Sequence, residues 1–141
     1  MARTSTDELR RLIRDLNGLP ADMRRELRPA MRKAGEHGLV RARAKAAYSQ
    51  RIPPAIRLST SFSARRPGVT LVGDLRKAPH IRALENLGQP GTFRHPVPRA
   101  RRWVNQRARP SMWPAAQEAM AQIDADIGAA VEVAARKHGF K

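Results

Sequence analysis

Residues 84–113, LENLGQPGTFRHPVPRARRWVNQRARPSMW, decide how the chain is divided. Proline removes a backbone donor and fixes φ, so a segment this rich in proline forms neither a long helix nor a central strand. The prolines stand at positions 90, 96, 98 and 110. The segment also holds both tryptophans of a chain with only 4% aromatic residues. We therefore expect its rings to fix it to the core, and the candidate anchors are Phe93, His95, Trp103 and Trp113.

The regions around this segment predict an α+β fold in a single domain, because 141 residues suit one domain. Residues 1–50 are predicted to be helical. Residues 51–110 are predicted to form a β-hairpin followed by the basic, proline-rich segment, and residues 111–139 a long C-terminal helix. The expected sheet is small and antiparallel, with the hairpin and one short further strand. With so few large side chains, the core is expected to be thin.

Two helices are predicted in the first region. Residues 5–16 combine a capping box with apolar residues at helical spacing. A second helix is expected from about Pro20 to about Tyr48, with Pro29 kinking it or Arg28 ending a first segment. Its apolar face is predicted to consist of Met23, Leu27, Met31 and Ala34.

The middle of the chain carries the strand signals. Alternation of apolar and polar residues predicts a β-hairpin over residues 57–72. Residues 79–87 are expected to include one helical turn, and residues 102–104 are expected to form a short third strand.

The last helix is predicted to begin near Ser111, as its N-cap, and to end at Gly139. Its apolar stripe is expected to pack on the hairpin and on the second helix. At the centre of that contact we expect Ile123, Ile127 and Val131.

Positive charge is concentrated in the middle of the chain. The formal net charge is +16, and arginine far outnumbers lysine. Residues 51–113 carry 13 basic and 2 acidic side chains, whereas residues 114–141 carry 3 and 4. This excess favours a polyanion or an acidic protein face as the partner. An arginine-rich surface inherited from a GC-rich genome would give the same composition.

Several function classes are disfavoured by what the sequence lacks. There is no cysteine, which excludes disulfides and cysteine-ligated zinc. The four histidines lack metal-ligand spacing, and only Asp74 and Glu85 are acidic between residues 37 and 117, so we expect no enzyme, cofactor or metal site. No apolar run approaches the roughly 20 residues that span a bilayer, and the N-terminus lacks a signal-peptide core. We therefore expect a soluble protein without membrane contact.

Two binding hypotheses fit these observations. In the first, arginines interleaved with Phe93 and Trp103 form a surface that tracks phosphates and stacks bases. In the second, the thin core and the amphipathic helices at both ends suit a ring subunit, and the same arginines contact a neighbouring copy. Composition does not choose between them. The candidate contact residues are Arg94, Arg99, Arg101, Arg102, Arg107 and Arg109.

An N-terminal helical region and a hairpin are followed, between residues 84 and 115, by short motifs in a specific order. They are Leu84, Glu85 and Gly88; GTFRHPV at 91–97; Trp103, Val104 and Gln106; ARP at 108–110; and WPA at 113–115. In this order the chain resembles the tail-completion, minor tail and neck proteins of long-tailed phages, the gp-ten-like family. Relatives tend to follow RHPV with a Phe-Gly turn, whereas this chain has PRARR at 98–102. That departure leaves the conformation of the loop open.

The resemblance implies a structural virion protein at the phage head–tail junction, without enzymatic activity. Such proteins form a ring, commonly six-fold, that completes or terminates the tail and joins it to the head connector. The implied partners are further copies of the chain, the connector or stopper, and the tail-terminator or tail-tube proteins. The implied location is the virion, after assembly in the host cytoplasm. The arginines would contact neighbouring rings or, without sequence preference, DNA in the channel. The alternative is a basic, non-specific nucleic-acid-binding protein.

Overall fold

The computed structural model describes residues 21–61, 68–97 and 99–139. The helix predicted over residues 5–16 lies outside these residues. The described elements confirm the α+β class. They are α1 (Ala21–Lys45), α2 (Ile52–Ala55), β1 (Ile56–Ser61), β2 (Gly68–Gly73), α3 (Ile81–Glu85) with a 3-10 turn (Asn86–Gly88), β3 (Thr92–Pro96), β4 (Trp103–Arg107) and α4 (Met112–Lys137).

The two long helices, α1 and α4, lie antiparallel and form the main body. At one end Lys137 pairs with Glu26 at 2.8 Å, and at the other Lys45 pairs with Glu118 at 2.7 Å. Ile127 lies at the centre of the helix contact and is 1% exposed. Ile123 and Val131 are half-buried beside it, so the expected packing on the second helix is observed, with Ile127 at its buried centre. The buried cluster between the helices contains Met23, Leu27, Met31, Ala34, Ile127 and Ala134.

Helix α1 continues through Pro29 to Lys45, so the expected end at Arg28 is not observed. Proline inside a helix removes one hydrogen bond and costs about 3 kcal/mol or more. The neighbouring Leu27 and Met31 are both buried in the contact with α4. Their burial offsets the cost of the proline, which itself lies on the exposed side of the helix.

The first hairpin confirms the strands predicted over residues 57–72. Ile56 pairs with Gly73 and Ser61 with Gly68, in an antiparallel register. The hairpin packs closely on α1 at Gly35, where a Cβ atom would collide with the side chain of Val69. Glycine weakens a helix in isolation, but here it permits the close approach of helix and sheet.

A second core lies where the end of α1 meets α2, α3 and the start of α4. It is built from Ile52, Ile56, Ile81 and Leu84 together with several alanines. Alanine also contributes to the α1–α4 cluster. The core is therefore thin, as the scarcity of large side chains predicts.

The basic segment folds into a second hairpin, which the sequence did not predict. Strand β3 pairs with β4, from Thr92 opposite Arg107 to Pro96 opposite Trp103, in a sheet separate from the first. The expected third strand therefore exists, but its expected place beside the first hairpin is wrong. A two-stranded ribbon consists of edge strands only, where proline is tolerated, so Pro96 can end β3.

Candidate functional site

The β3–β4 hairpin has two chemically different faces. Side chains alternate along a strand, so Phe93, His95 and Val104 share one face, where they are half-buried. The opposite side, here called the outer face, presents exposed side chains. These are Thr92, Arg94, Pro96, Trp103, Asn105 and Arg107.

The half-buried face and the hairpin base fix this element to the body. Phe93 packs against the second core, and its ring centre lies 5.7 Å from that of His95. The imidazole of His95 contacts the hairpin backbone itself, because its Nδ1 atom lies 3.1 Å from the carbonyl oxygen of Pro96. At the base, the N–H of Ala108 donates to the Gly91 carbonyl at 2.7 Å, and the N–H of Arg109 donates to the Leu84 carbonyl at 2.9 Å.

Trp103 does not hold the segment to the core as expected. It lies on the outer face and is 58% exposed, because its register opposite Pro96 turns it away from Phe93. Its ring contacts an arginine instead: the guanidinium carbon of Arg94 lies 5.6 Å from the ring centre. A cation at this distance is attracted to the ring face. Trp103 therefore steadies a charged side chain on the surface.

The six candidate arginines are all exposed, but they fall into three groups. Arg94 and Arg107 lie on the outer face. Arg99 and Arg101 lie in the connecting turn with φ of 70° and 45°, and Arg102 directly precedes β4. Arg109 follows the hairpin, with its guanidinium carbon 5.0 Å from the ring centre of Tyr48. Within the described ranges, none of these six arginines forms an ion pair.

A second surface is apolar and lies beside the start of α4. Leu87 is 92% exposed and Trp113 is 55% exposed, so Trp113 is only partly an anchor. The ring of Trp113 packs over Gly88 so closely that a Cβ there would collide with it. An open groove of about 430 Å³ runs past these residues, here called the apolar groove. It is lined by Val69, Thr70, Leu71, Glu85, Leu87, Gly88, Met112, Trp113 and Ala116.

The backbone that presents Leu87 is unusual. Asn86, Leu87 and Gly88 all have positive φ, of 42°, 55° and 80°. Left-handed backbone is uncommon outside glycine, and leucine lacks the local hydrogen bonds that help asparagine to adopt it. Such strain persists where surrounding structure imposes it, and it clusters at functional sites. Here the strained turn holds an apolar side chain out into solvent.

Glu85 fixes the position of α4 relative to this turn. Its Oε1 atom accepts hydrogen bonds from the backbone N–H groups of Ser111, at 2.7 Å, and Met112, at 3.0 Å. It also accepts a bond from the Ser111 hydroxyl. Ser111 occupies the expected N-cap position, but its side chain does not cap the helix. A buried carboxylate from elsewhere in the chain performs that role, which the positive end of the helix dipole favours.

Tyr48 joins the end of α1 to the same region. Its hydroxyl donates to the carbonyl oxygen of Arg109 at 3.1 Å. Burial, and next the negative charge of Glu85, raise the pKa of the Tyr48 hydroxyl, while Arg109 opposes them. The sequence singles out Glu85 as a motif residue but predicts no structural role for it, and it predicts none for Tyr48. The available signal was that Glu85 is the one acidic residue in the basic segment, residues 84–113.

Across the described residues, no group of three or more histidine, aspartate or glutamate side chains could hold a metal ion. None of the described helices is long and apolar enough to cross a membrane. No protein-family model, curated protein or solved structure matches the chain.

Proposed function

We propose that this chain is a structural virion protein of the phage head–tail junction, forming a ring that completes or terminates the tail and joins it to the head connector. The observation that carries the proposal is the apolar groove with Leu87 exposed at its edge. Exposure of a leucine and left-handed backbone both cost free energy in an isolated subunit. A partner that covers Leu87 recovers part of that cost.

The composition of the groove suits a contact between proteins. Tryptophan is enriched among the residues that contribute most to protein association, and Trp113 is half-exposed here beside Leu87. Contiguous exposed apolar surface on a soluble domain commonly marks an interaction site. The thin core adds to this, because neighbouring subunits supply burial that the subunit itself lacks.

The residues that carry the family resemblance also support the proposal, since they meet in space. Glu85 binds the start of α4, and Gly88 lies under Trp113. Gly91 accepts the hydrogen bond that closes the hairpin base. The shared motifs thus build one connected region, the strained turn with the groove and the base of the hairpin. A region built in this way offers a common platform for subunit contacts.

A ring needs two different surfaces that fit each other, because a head-to-tail contact closes by rotation. The apolar groove with Leu87 at its edge supplies one of these surfaces. The expected neighbours are further copies, the connector or stopper on one side and the tail terminator or tail tube on the other.

The direct test is the mass of nuclease-treated protein by native mass spectrometry in high salt, alone and with the matching tails. We expect a closed ring, alone or on the tails, for the unchanged chain. Leu87→Asn should prevent the ring, since asparagine tolerates left-handed backbone while removing the apolar contact. Val40→Gln is the matched control, because Val40 is 67% exposed on α1.

Two outcomes would contradict the proposal. A ring that forms equally well with Leu87→Asn would show that the groove is not the contact. A monomer that ignores tails yet shifts on adding any DNA would favour the alternative, a basic, non-specific nucleic-acid-binding protein.

A further inference from the structure

We infer that the outer face of the β3–β4 hairpin binds the phosphate backbone of nucleic acid without sequence preference. Arg94 and Arg107 make the phosphate contacts, and Trp103 holds Arg94 in place. This binding surface does not depend on the proposed ring, because a single subunit contains all of it. The inference begins from the register, which places these three side chains on one exposed face.

The spacing of the two arginines suits a charged polymer. Arg94 lies opposite Asn105, so Arg107 is its diagonal neighbour across the ribbon. Diagonal neighbours on one face are about 7–8 Å apart. Long arginine side chains from such positions reach separate phosphates. Thr92 and Asn105 lie on the same face, and their polar groups are of the kind that also bind phosphate oxygens.

The electrostatic setting leaves both arginines available. Neither forms an ion pair within the part of the chain that the structure describes. The sequence has no acidic residue between Glu85 and Glu118, so the face has no acidic neighbour along its own segment. Arg99 and Arg101 extend the positive charge into the connecting turn. The field around the hairpin therefore attracts a polyanion.

Contact with Trp103 organises Arg94 before any ligand arrives. The guanidinium lies 5.6 Å from the ring centre. An arginine restrained in this way loses less side-chain entropy when it binds, which raises affinity. Guanidinium groups also bind phosphate with two parallel hydrogen bonds, which lysine does not.

A nucleic acid fits this face better than an acidic protein surface does. Protein interfaces usually have a well-packed apolar centre that excludes water. The outer face has one large apolar ring, and Arg94 already contacts it. Spaced cations with polar neighbours are sufficient for a repeating phosphodiester chain, whose binding is mainly electrostatic.

The test measures binding of the full chain to labelled random-sequence duplex DNA, and to a single strand of equal length, by fluorescence anisotropy over a range of salt concentrations. Arg94→Gln and Arg107→Gln should each reduce the slope of log K against log salt on the duplex by about 0.9. Trp103→Leu should weaken binding about two- to fivefold, as expected for loss of an exposed cation–π contact. Arg32→Gln, an exposed arginine on α1, is the control and should leave the slope nearly unchanged.

The outcomes separate this inference from the proposed ring. Leu87→Asn should keep the full salt slope even where it abolishes the ring. Hairpin variants that behave like Arg32→Gln would overturn the inference. So would a double Arg94→Gln, Arg107→Gln variant that retains DNA affinity but no longer joins tails, which would assign the face to an acidic protein partner. A thermal unfolding curve for each variant checks that it is folded.

Discussion

The α1–α4 pair and the β3–β4 hairpin use their large side chains in opposite ways. In the helix pair, large apolar residues such as Leu27, Met31 and Ile127 are fully buried. In the hairpin, Phe93 alone packs against a core, and Trp103 lies in solvent beside Arg94. Burial of apolar area is the main source of stability, so the helix pair contributes more to stability than the hairpin does. The hairpin is thereby left free to present a surface.

The largest expected effect contrasts one residue from each region. Ile127→Ala should lower the free energy of unfolding by about 2–5 kcal/mol, because it leaves a cavity between α1 and α4. Trp103→Ala should change it by less than about 0.5 kcal/mol, although it removes a larger side chain. Urea unfolding followed by circular dichroism measures both. Similar costs at the two positions would break the comparison.

The next effect concerns the junction between the two regions. Glu85→Ala should cost about 1–3 kcal/mol, since it leaves the N–H groups of Ser111 and Met112 without their acceptor. Trp113 fluorescence should also change, because the carboxylate positions the start of α4. Trp103→Phe in the background isolates that signal. Glu132→Ala is the control: Glu132 pairs with Arg136 at an exposed site and should cost little. An equal cost for both would show that Glu85 does not fix the helix.

The smallest expected effect is the pH dependence of stability due to Glu26, which pairs with Lys137 at the far end of the helix pair. A hydrogen bond from Lys137, then charge attraction from Lys137 and His138, lowers the pKa of Glu26 below its usual 4.5. A lowered carboxyl pKa stabilises the folded state above the usual value, and that stabilisation is lost as pH falls through the folded pKa. Glu26→Gln should therefore reduce the melting temperature slightly at pH 7 and converge with the unchanged chain in acid. A constant difference at all pH values would contradict this assignment.

The elements that the sequence predicted well depend on local patterns. Helical spacing of Met23, Leu27 and Met31 identified the buried face of α1, and the alternation after residue 57 identified the first hairpin. Boundaries were predicted less closely: α1 ends at Lys45, three residues before the expected end near Tyr48. Hydrogen bonds from Ala46 and Ala47 to the preceding turn continue briefly beyond that point.

The candidate surfaces could be predicted only in part, because their arrangement depends on strand pairing and not on local patterns. The six arginines and the rings could be named from the sequence, but not which of them share a face. The four prolines between residues 90 and 110 argue against a long helix or a central strand, whereas an isolated ribbon tolerates proline because both of its strands are edges. The register of that ribbon then turned Trp103 outward and Phe93 inward. The exposed Leu87 depends on a left-handed turn for which the sequence shows no plain signal.

By itself the sequence determined the α+β class, the amphipathic helices, the thin core and the concentration of positive charge between residues 51 and 113. These follow from composition and from periodicity over a few residues. The tertiary structure alone decided the pairing of β3 with β4, the contact of Arg94 with Trp103, and the capping of α4 by Glu85, 26 residues before Ser111. The capping joins residues that are distant along the chain, and the other two depend on a strand register that is set by how the chain buries its few large side chains and satisfies its backbone groups.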